Sequence, residues 1–223
     1  MNKKIKEIEG DIFECPPIYK DFWSPKVLDY LDEKIDDWHN GKLYAPRHFE
    51  MRPDHDPNTW FSRGGVFTYN LIKNRKGHII HEEFFNDIKS ELDNIYDFSN
   101  LKYVSCDLRF MTLGGGLPWH EDANYSFVTT TYLNQKPWNK DWGGALLYQN
   151  KHGEIGAQFP EYNKMVVQSG GFNCENNMEH STTPVQQDAF GETSTRISMQ
   201  MFCGDFIPQR VESADGAGVY IVG

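Results

Sequence analysis

The residues best suited to chemistry are His120, Asp122 and His180, with Arg196 further along. His120 and Asp122 stand two apart in Trp119-His120-Glu121-Asp122, so on an extended backbone both side chains leave one face of a sheet and can reach one ion. His180 is too distant in sequence to join them locally and must arrive on another strand of a closed or layered β structure. Two imidazoles and one carboxylate on one side of an ion leave coordination positions open, the arrangement expected of a mononuclear, non-haem Fe(II) oxygenase site. Gly114-Gly115-Gly116 precedes the pair and lets the backbone turn close to a ligand. In Ser194 to Phe202, alternation puts Arg196, Ser198, Gln200 and Phe202 on one face, and Ile197, Met199 and Met201 on the other. An arginine inside a barrel requires an anion, because an unpaired buried charge is costly.

From Val104 to Cys203 the chain resembles the iron- and 2-oxoglutarate-dependent dioxygenases, most closely the prolyl 4-hydroxylase-like branch. The resemblance is carried by His120-Glu121-Asp122, Thr129-Thr130-Thr131-Tyr132-Leu133-Asn134, Gly143-Gly144-Ala145-Leu146, His180 with Thr183-Pro184-Val185, and Arg196-Ile197-Ser198, in the family's order. The H-x-D pair alone is a weak signal; the five pieces together are specific. They imply a mainly β protein, a double-stranded β-helix (a jelly-roll, cupin-like barrel) with supporting N-terminal helices. They also imply Fe(II) on His120, Asp122 and His180, and 2-oxoglutarate whose distal carboxylate pairs with Arg196. Tyr132 would add a hydrogen bond to that carboxylate, and Thr130, Leu146 and Ser198 would line the pocket. Dioxygen and, as an accessory, ascorbate complete the implied set.

The reaction implied by the resemblance is hydroxylation of an unactivated C–H, with succinate and CO2 as co-products, on a prolyl residue of a peptide or protein. Hydroxylation of a free amino acid or other small molecule stays open, as does a non-catalytic β-barrel that binds metal or ligand as a sensor. Asp122 argues against halogenation, because related halogenases replace the carboxylate with a small residue to admit chloride. Two departures stand out. The stretch from His180 to Arg196 is long, which predicts an extended turn over Gln186 to Glu192, and Phe110 stands where relatives place a tyrosine near the metal-binding end of the co-substrate.

Other elements must position these groups. Ser24-Pro25 reads as N-cap and first residue of a helix carrying Val27, Leu28, Leu31, Ile35 and Trp38 on one stripe, ended by Gly41. A second helix is predicted over Ile80 to Tyr96, with Phe84, Phe85, Ile88 and Leu92 on one face. Ile12 to Tyr19 reads as an edge strand broken by Pro16-Pro17, and Gly65 to Ile72 as a strand. Later strands are predicted over Tyr103–Leu113, Tyr125–Asn134, Ala145–Gln149, Lys164–Gln168 and Thr193–Phe202, with a turn at Lys151 to Glu154. The expected organisation is one domain over 1–223: helical support and lid region over 1–100, catalytic β core over 101–205, and a tail over 206–223 with no assigned fold. Tyr44 to Arg63 has neither period and reads as a long loop of the kind that covers active sites.

The net charge of −10 over 223 residues disfavours a surface built to neutralise phosphates, so a nucleic-acid partner is not expected. Cys15, Cys106, Cys174 and Cys203 are widely spaced, without C-x-x-C, and the N-terminus leads into no apolar run. A reducing cytoplasm, with neither membrane span nor signal peptide, is the expectation. Tyr125, Trp119 and Trp142 are the candidate substrate-facing aromatics, with Phe127 and Trp138 as further wall residues; core packing explains each nearly as well. His78 with His81, and Asp54-His55-Asp56, are decoys that lack a third ligand at zinc spacing.

Overall fold

The structure, a computed structural model, describes residues 18–45, 65–72, 81–94, 103–120, 122, 127–149, 153–169 and 179–204. Tyr125, most of the 44–63 loop, His78, the Asp54–Asp56 run and the 206–223 tail lie outside them. Two helices, α1 (Pro25–His39) and α2 (Glu82–Leu92), accompany ten strands. These are β1 (Ile18–Tyr19), β2 (Val66–Asn70), β3 (Tyr103–Met111), β4 (Leu117–His120), β5 (Phe127–Tyr132), β6 (Leu146–Gln149), β7 (Ile155–Gln158), β8 (Lys164–Ser169), β9 (His180–Thr182) and β10 (Arg196–Gly204). They form a six-stranded sheet, β1-β8-β5-β10-β3-β2, and a four-stranded sheet, β4-β9-β6-β7. Every named pairing is antiparallel. Two antiparallel sheets of this order are the double-stranded β-helix that the sequence implies.

The large sheet has two chemically different faces, and the period-two alternation of its strands creates them. On one face, Cys106, Leu108 and Phe110 of β3, Ile197, Met199, Met201 and Cys203 of β10, and Met165 of β8 join one hydrophobic cluster. Val27, Leu31 and Ile35 of α1, with Phe84, Ile88 and Leu92 of α2, close that cluster from the helix side. A side chain such as Leu31, fully withdrawn from water, contributes about 1.5–3 kcal/mol. The helices are thus held by their apolar stripe, as their sequence period requires. Ser24 sits at the α1 N-cap, but its hydroxyl donates to the Glu91 carboxylate of α2 instead of capping its own helix.

Several boundaries differ from the sequence expectation. The α2 helix stops at Leu92, with Asp93 as its C-cap, short of the predicted Tyr96. β4, β7 and β9 were not among the predicted strands; they read Leu-Pro-Trp-His, Ile-Gly-Ala-Gln and His-Ser-Thr, runs with a proline, a glycine or only three residues. Their pairing in the four-stranded sheet comes from the barrel, not from local propensity.

Phe110 requires a correction. It does not face the pocket. Its ring stacks on Trp38 of α1 at 4.1 Å and 10°, within the helix-facing cluster. Alternation along β3 instead turns Arg109 and Met111 to the opposite face, where Met111 pairs with Arg196 and Arg109 with Ser198. Phe110→Ala is therefore expected to lower stability by about 3–5 kcal/mol in a urea titration. A small stability change together with altered 2-oxoglutarate affinity would return the ring to the pocket.

Candidate metal centre and co-substrate pocket

The four-stranded sheet brings the two imidazoles together. His120, the last residue of β4, is the direct cross-strand partner of His180, the first residue of β9, and Tyr148 of β6 flanks His180 on its other side. The rings lie 4.2 Å apart between centroids. Asp122 lies just beyond the end of β4, and its carboxylate oxygens stand 3.3 Å from His180 Nε2 and 3.9 Å from His120 Nε2. The three donor atoms all lie within 4.8 Å of one another. Ligand bonds of about 2 Å at right angles put donor atoms about 3 Å apart, so this triad must draw inward to hold one ion.

Protonation suits ligation. His120 Nδ1 lies 2.8 Å from the Pro118 carbonyl, which can only accept, so Nδ1 carries the proton and Nε2 presents its lone pair. For Asp122, burial alone would raise the pKa. The hydrogen bond and charge of His180, with the charges of His120 and Arg109, outweigh burial and hold the carboxyl below its ordinary value. The His120 side chain keeps 34% of its exposure against 11% for Asp122, so the triad has one open side.

Arg196 stands on the barrel-facing side of β10 and is fully buried. Its Nη1 donates to Ser198 Oγ at 3.1 Å and lies 3.4 Å from the Met111 sulfur, and the guanidinium sits over the Tyr132 ring at 5.2 Å. Nε and Nη2 have no hydrogen-bond partner among the described residues. Burial lowers the guanidinium pKa, Tyr132 offsets part of this, and Arg109 adds to it. A buried cation with two unanswered donors fits a carboxylate, which accepts two parallel N–H bonds and restores the lost solvation. Tyr132, also fully buried, has its phenol pKa raised by that burial against the opposing charge of Arg196, so it remains a neutral hydroxyl beside the guanidinium.

The surroundings are built to the same shape. Leu146 packs with Tyr132 and Val166 in a small apolar cluster. Gly144 has φ +66°, and a β-carbon there would stand 3.1 Å from both Arg196 Cδ and Trp138 Cζ2, so this turn needs glycine on two grounds. Thr130 donates to Gln168 Oε1 and accepts from Gln200 Nε2, forming a buried polar rail across β8, β5 and β10. The long 186–192 turn is organised by Asp188, whose Oδ1 accepts from the backbone N–H groups of Phe190 and Glu192.

The candidate aromatics separate. The Trp142 indole donates to Asp188 Oδ2 and packs edge-on against Trp138, next to Arg196, while Trp119 is 39% exposed on β4. His81 packs against Tyr30 and joins no group of metal donors among the described residues. Sequence reasoning missed Arg109, Gln168 and Met111 as barrel-facing groups. The signal was present in β3, where alternation pairs Arg109 with Met111 and not with Phe110.

No family model and no curated protein matches the chain. Its structure is similar to solved ones. A prolyl-4-hydroxylase from Pseudomonas putida matches at TM-score 0.58 and 15% identity, over 86% of this chain and 93% of that one. A prolyl hydroxylase from Trichoplax adhaerens, in complex with a hypoxia inducible factor oxygen degradation domain peptide fragment, matches at 0.60 and 14%, over 84% and 82%. An oxidoreductase of the 2OG-Fe(II) oxygenase family from Burkholderia pseudomallei matches at 0.57 and 14%, over 84% and 83%. The chain has the double-stranded β-helix fold of the prolyl 4-hydroxylase-like 2-oxoglutarate and iron(II) oxygenases.

Proposed function

We propose that this protein is an Fe(II)- and 2-oxoglutarate-dependent dioxygenase that hydroxylates an unactivated C–H, with a prolyl residue of a peptide or protein as first choice. The observation that carries this reading is the combination of two parts in one barrel: a convergent His120–Asp122–His180 triad and a fully buried Arg196 with two unpartnered donors. Either part alone has ordinary explanations. Together they match a metal-chelating keto acid with a second carboxylate at its far end.

In this reading His120, Asp122 and His180 hold the ion from one side and leave the other for exchangeable ligands. Arg196 takes the distal carboxylate of 2-oxoglutarate, with Ser198 fixing one arm of the guanidinium and Tyr132 offering its hydroxyl. Leu146, Val166 and Met111 line the apolar part of the path and keep water from it. Iron(II) with 2-oxoglutarate supplies dioxygen activation coupled to decarboxylation of the keto acid to succinate, and with it the power to insert oxygen into a C–H bond. Ascorbate would serve to keep the metal reduced.

The prolyl preference rests on neighbours described as prolyl hydroxylases, one of them with a peptide bound. A second reading, hydroxylation of a free amino acid, is favoured by the polar wall of the barrel, where Arg109, Gln168 and Gln200 are buried. Among the described residues no helix is long and apolar enough to cross a membrane.

Incubation with Fe(II), 2-oxoglutarate and oxygen is expected to release succinate, increased by the right substrate and abolished by a chelator. Mass spectrometry of proline-containing peptides and free amino acids should find one added oxygen, and the absence of any succinate would overturn the reading. His180→Ala is expected to weaken Mn(II) or Fe(II) binding by more than the 10–100-fold typical of outer-sphere partners, about 100-fold or beyond, in a metal titration. Arg196→Gln removes charge-assisted hydrogen bonds of about 1.5–3 kcal/mol, so the 2-oxoglutarate KM should rise about 10–100-fold with a smaller change in kcat.

A further inference from the structure

The barrel contains a second buried arginine that the co-substrate does not need. Arg109 pairs in register with Ser198 on one side and Thr68 on the other, so it faces the same interior as Arg196. It is 7% exposed, its Nε has no hydrogen-bond partner, and its guanidinium lies over the Phe202 ring at 5.2 Å. Its cross-strand partner Ser198 stands two residues along β10 from Arg196, so the two guanidinium groups sit on adjacent strands of one barrel-facing wall.

The groups around it are unsatisfied in a complementary way. Among the described residues, Gln200 Oε1 is a buried acceptor without a donor, and Thr68 Oγ1 is a buried hydroxyl without a partner. Gln200 neighbours Arg109 diagonally, because Ser198 is opposite Arg109 and Gln200 opposite Asp107. Buried polar groups are nearly always paired in a finished fold, so the Arg109 Nε donor and the Gln200 Oε1 acceptor left open on one wall mark a surface that a ligand completes. One dicarboxylate co-substrate cannot answer both arginines, since one of its ends meets the metal and the other Arg196.

We infer that Arg109 anchors the carboxylate of the substrate itself, with Gln200 Oε1 taking its N–H, so the substrate class is a free α-amino or imino acid. This rests on the dioxygenase reading above and takes its second form, the free amino acid, in place of the peptide: a proline inside a peptide chain has no carboxylate for Arg109. Phe202 adds a cation–π contact to the guanidinium, at 5.2 Å from its ring centroid.

The test uses the full chain with Mn(II). A first titration with 2-oxoglutarate alone decides the parent reading: no binding there removes the dioxygenase account and this inference with it. The loaded protein is then titrated with the L-α-amino acids, proline included, and with their primary amides. At least one free acid should bind, and its amide should bind about 10-fold or more weakly, the value of a charge-assisted hydrogen bond. In Arg109→Gln that gap should collapse, while 2-oxoglutarate affinity stays within about threefold, a change of under 1 kcal/mol. A fall in 2-oxoglutarate affinity as large as that of Arg196→Gln would assign Arg109 to the co-substrate. Binding of no free acid, or a gap that survives the substitution, overturns the inference.

A readout without ligand completes the test. An arginine buried for function costs the empty protein stability, so Arg109→Met should leave the thermal midpoint unchanged or raise it by about 2–4 °C. A drop of that size would show that Arg109 is there for the fold.

Discussion

The site depends on the register of one short ladder, His120 of β4 opposite His180 of β9. In a strand a slip of one residue turns each side chain to the other face, so the two imidazoles meet only in this register. Neither strand specifies it alone, since β4 has four residues and β9 three. The register is pinned from the flanks. Tyr148 and Leu146 of β6 pair with His180 and Thr182, and Val185 bridges to Gly143. Gly115 and Gly116 leave no room for a β-carbon against the backbone of Thr112, Thr182 and Pro184. The convergence of the two imidazoles is therefore a consequence of sheet closure, and Asp122 reaches them from beyond the end of β4.

A second constraint is the division of labour between the faces of the large sheet. Its helix-facing side is apolar and supplies the burial that stabilises the domain, with Phe110, Leu108, Met199 and Met201 withdrawn from water against α1 and α2. Its barrel-facing side carries Arg109, Arg196, Ser198, Gln200, Thr130 and Gln168. Burying two guanidinium groups on adjacent strands of one face works against stability in the empty protein, because each loses solvation and they repel one another. A fold tolerates this where a ligand returns the lost interactions. Apolar packing and buried polar groups are thus assigned to opposite faces of the same strands, residue by alternate residue.

Polar order within the barrel follows from the same pattern. Thr130, Gln168 and Gln200 hydrogen-bond in series across three strands. The series leaves a free acceptor on Gln200 and a free donor on Gln168. The rail fixes these side chains and aims their remaining groups inward, so the pocket's polarity is preorganised before any ligand enters.

The sequence by itself determined the helix α1 with its Ser24 and Gly41 ends, the long strands β3, β5, β8 and β10, and the choice of His120, Asp122, His180 and Arg196 as candidate site residues, because periodicity and spaced ligand types are local or motif properties. The strand face of Arg196 was legible from alternation in β10, and alternation in β3 would have excluded Phe110 from the pocket. Tertiary structure alone decided the strands β4, β7 and β9, whose sequences have little β propensity and which exist because neighbours pair with them. It also decided which buried polar groups are left unanswered. Arg109 and Gln200 look like ordinary strand residues until the sheet registers place them on one wall, since hydrogen-bond satisfaction is a property of neighbours brought from distant parts of the chain.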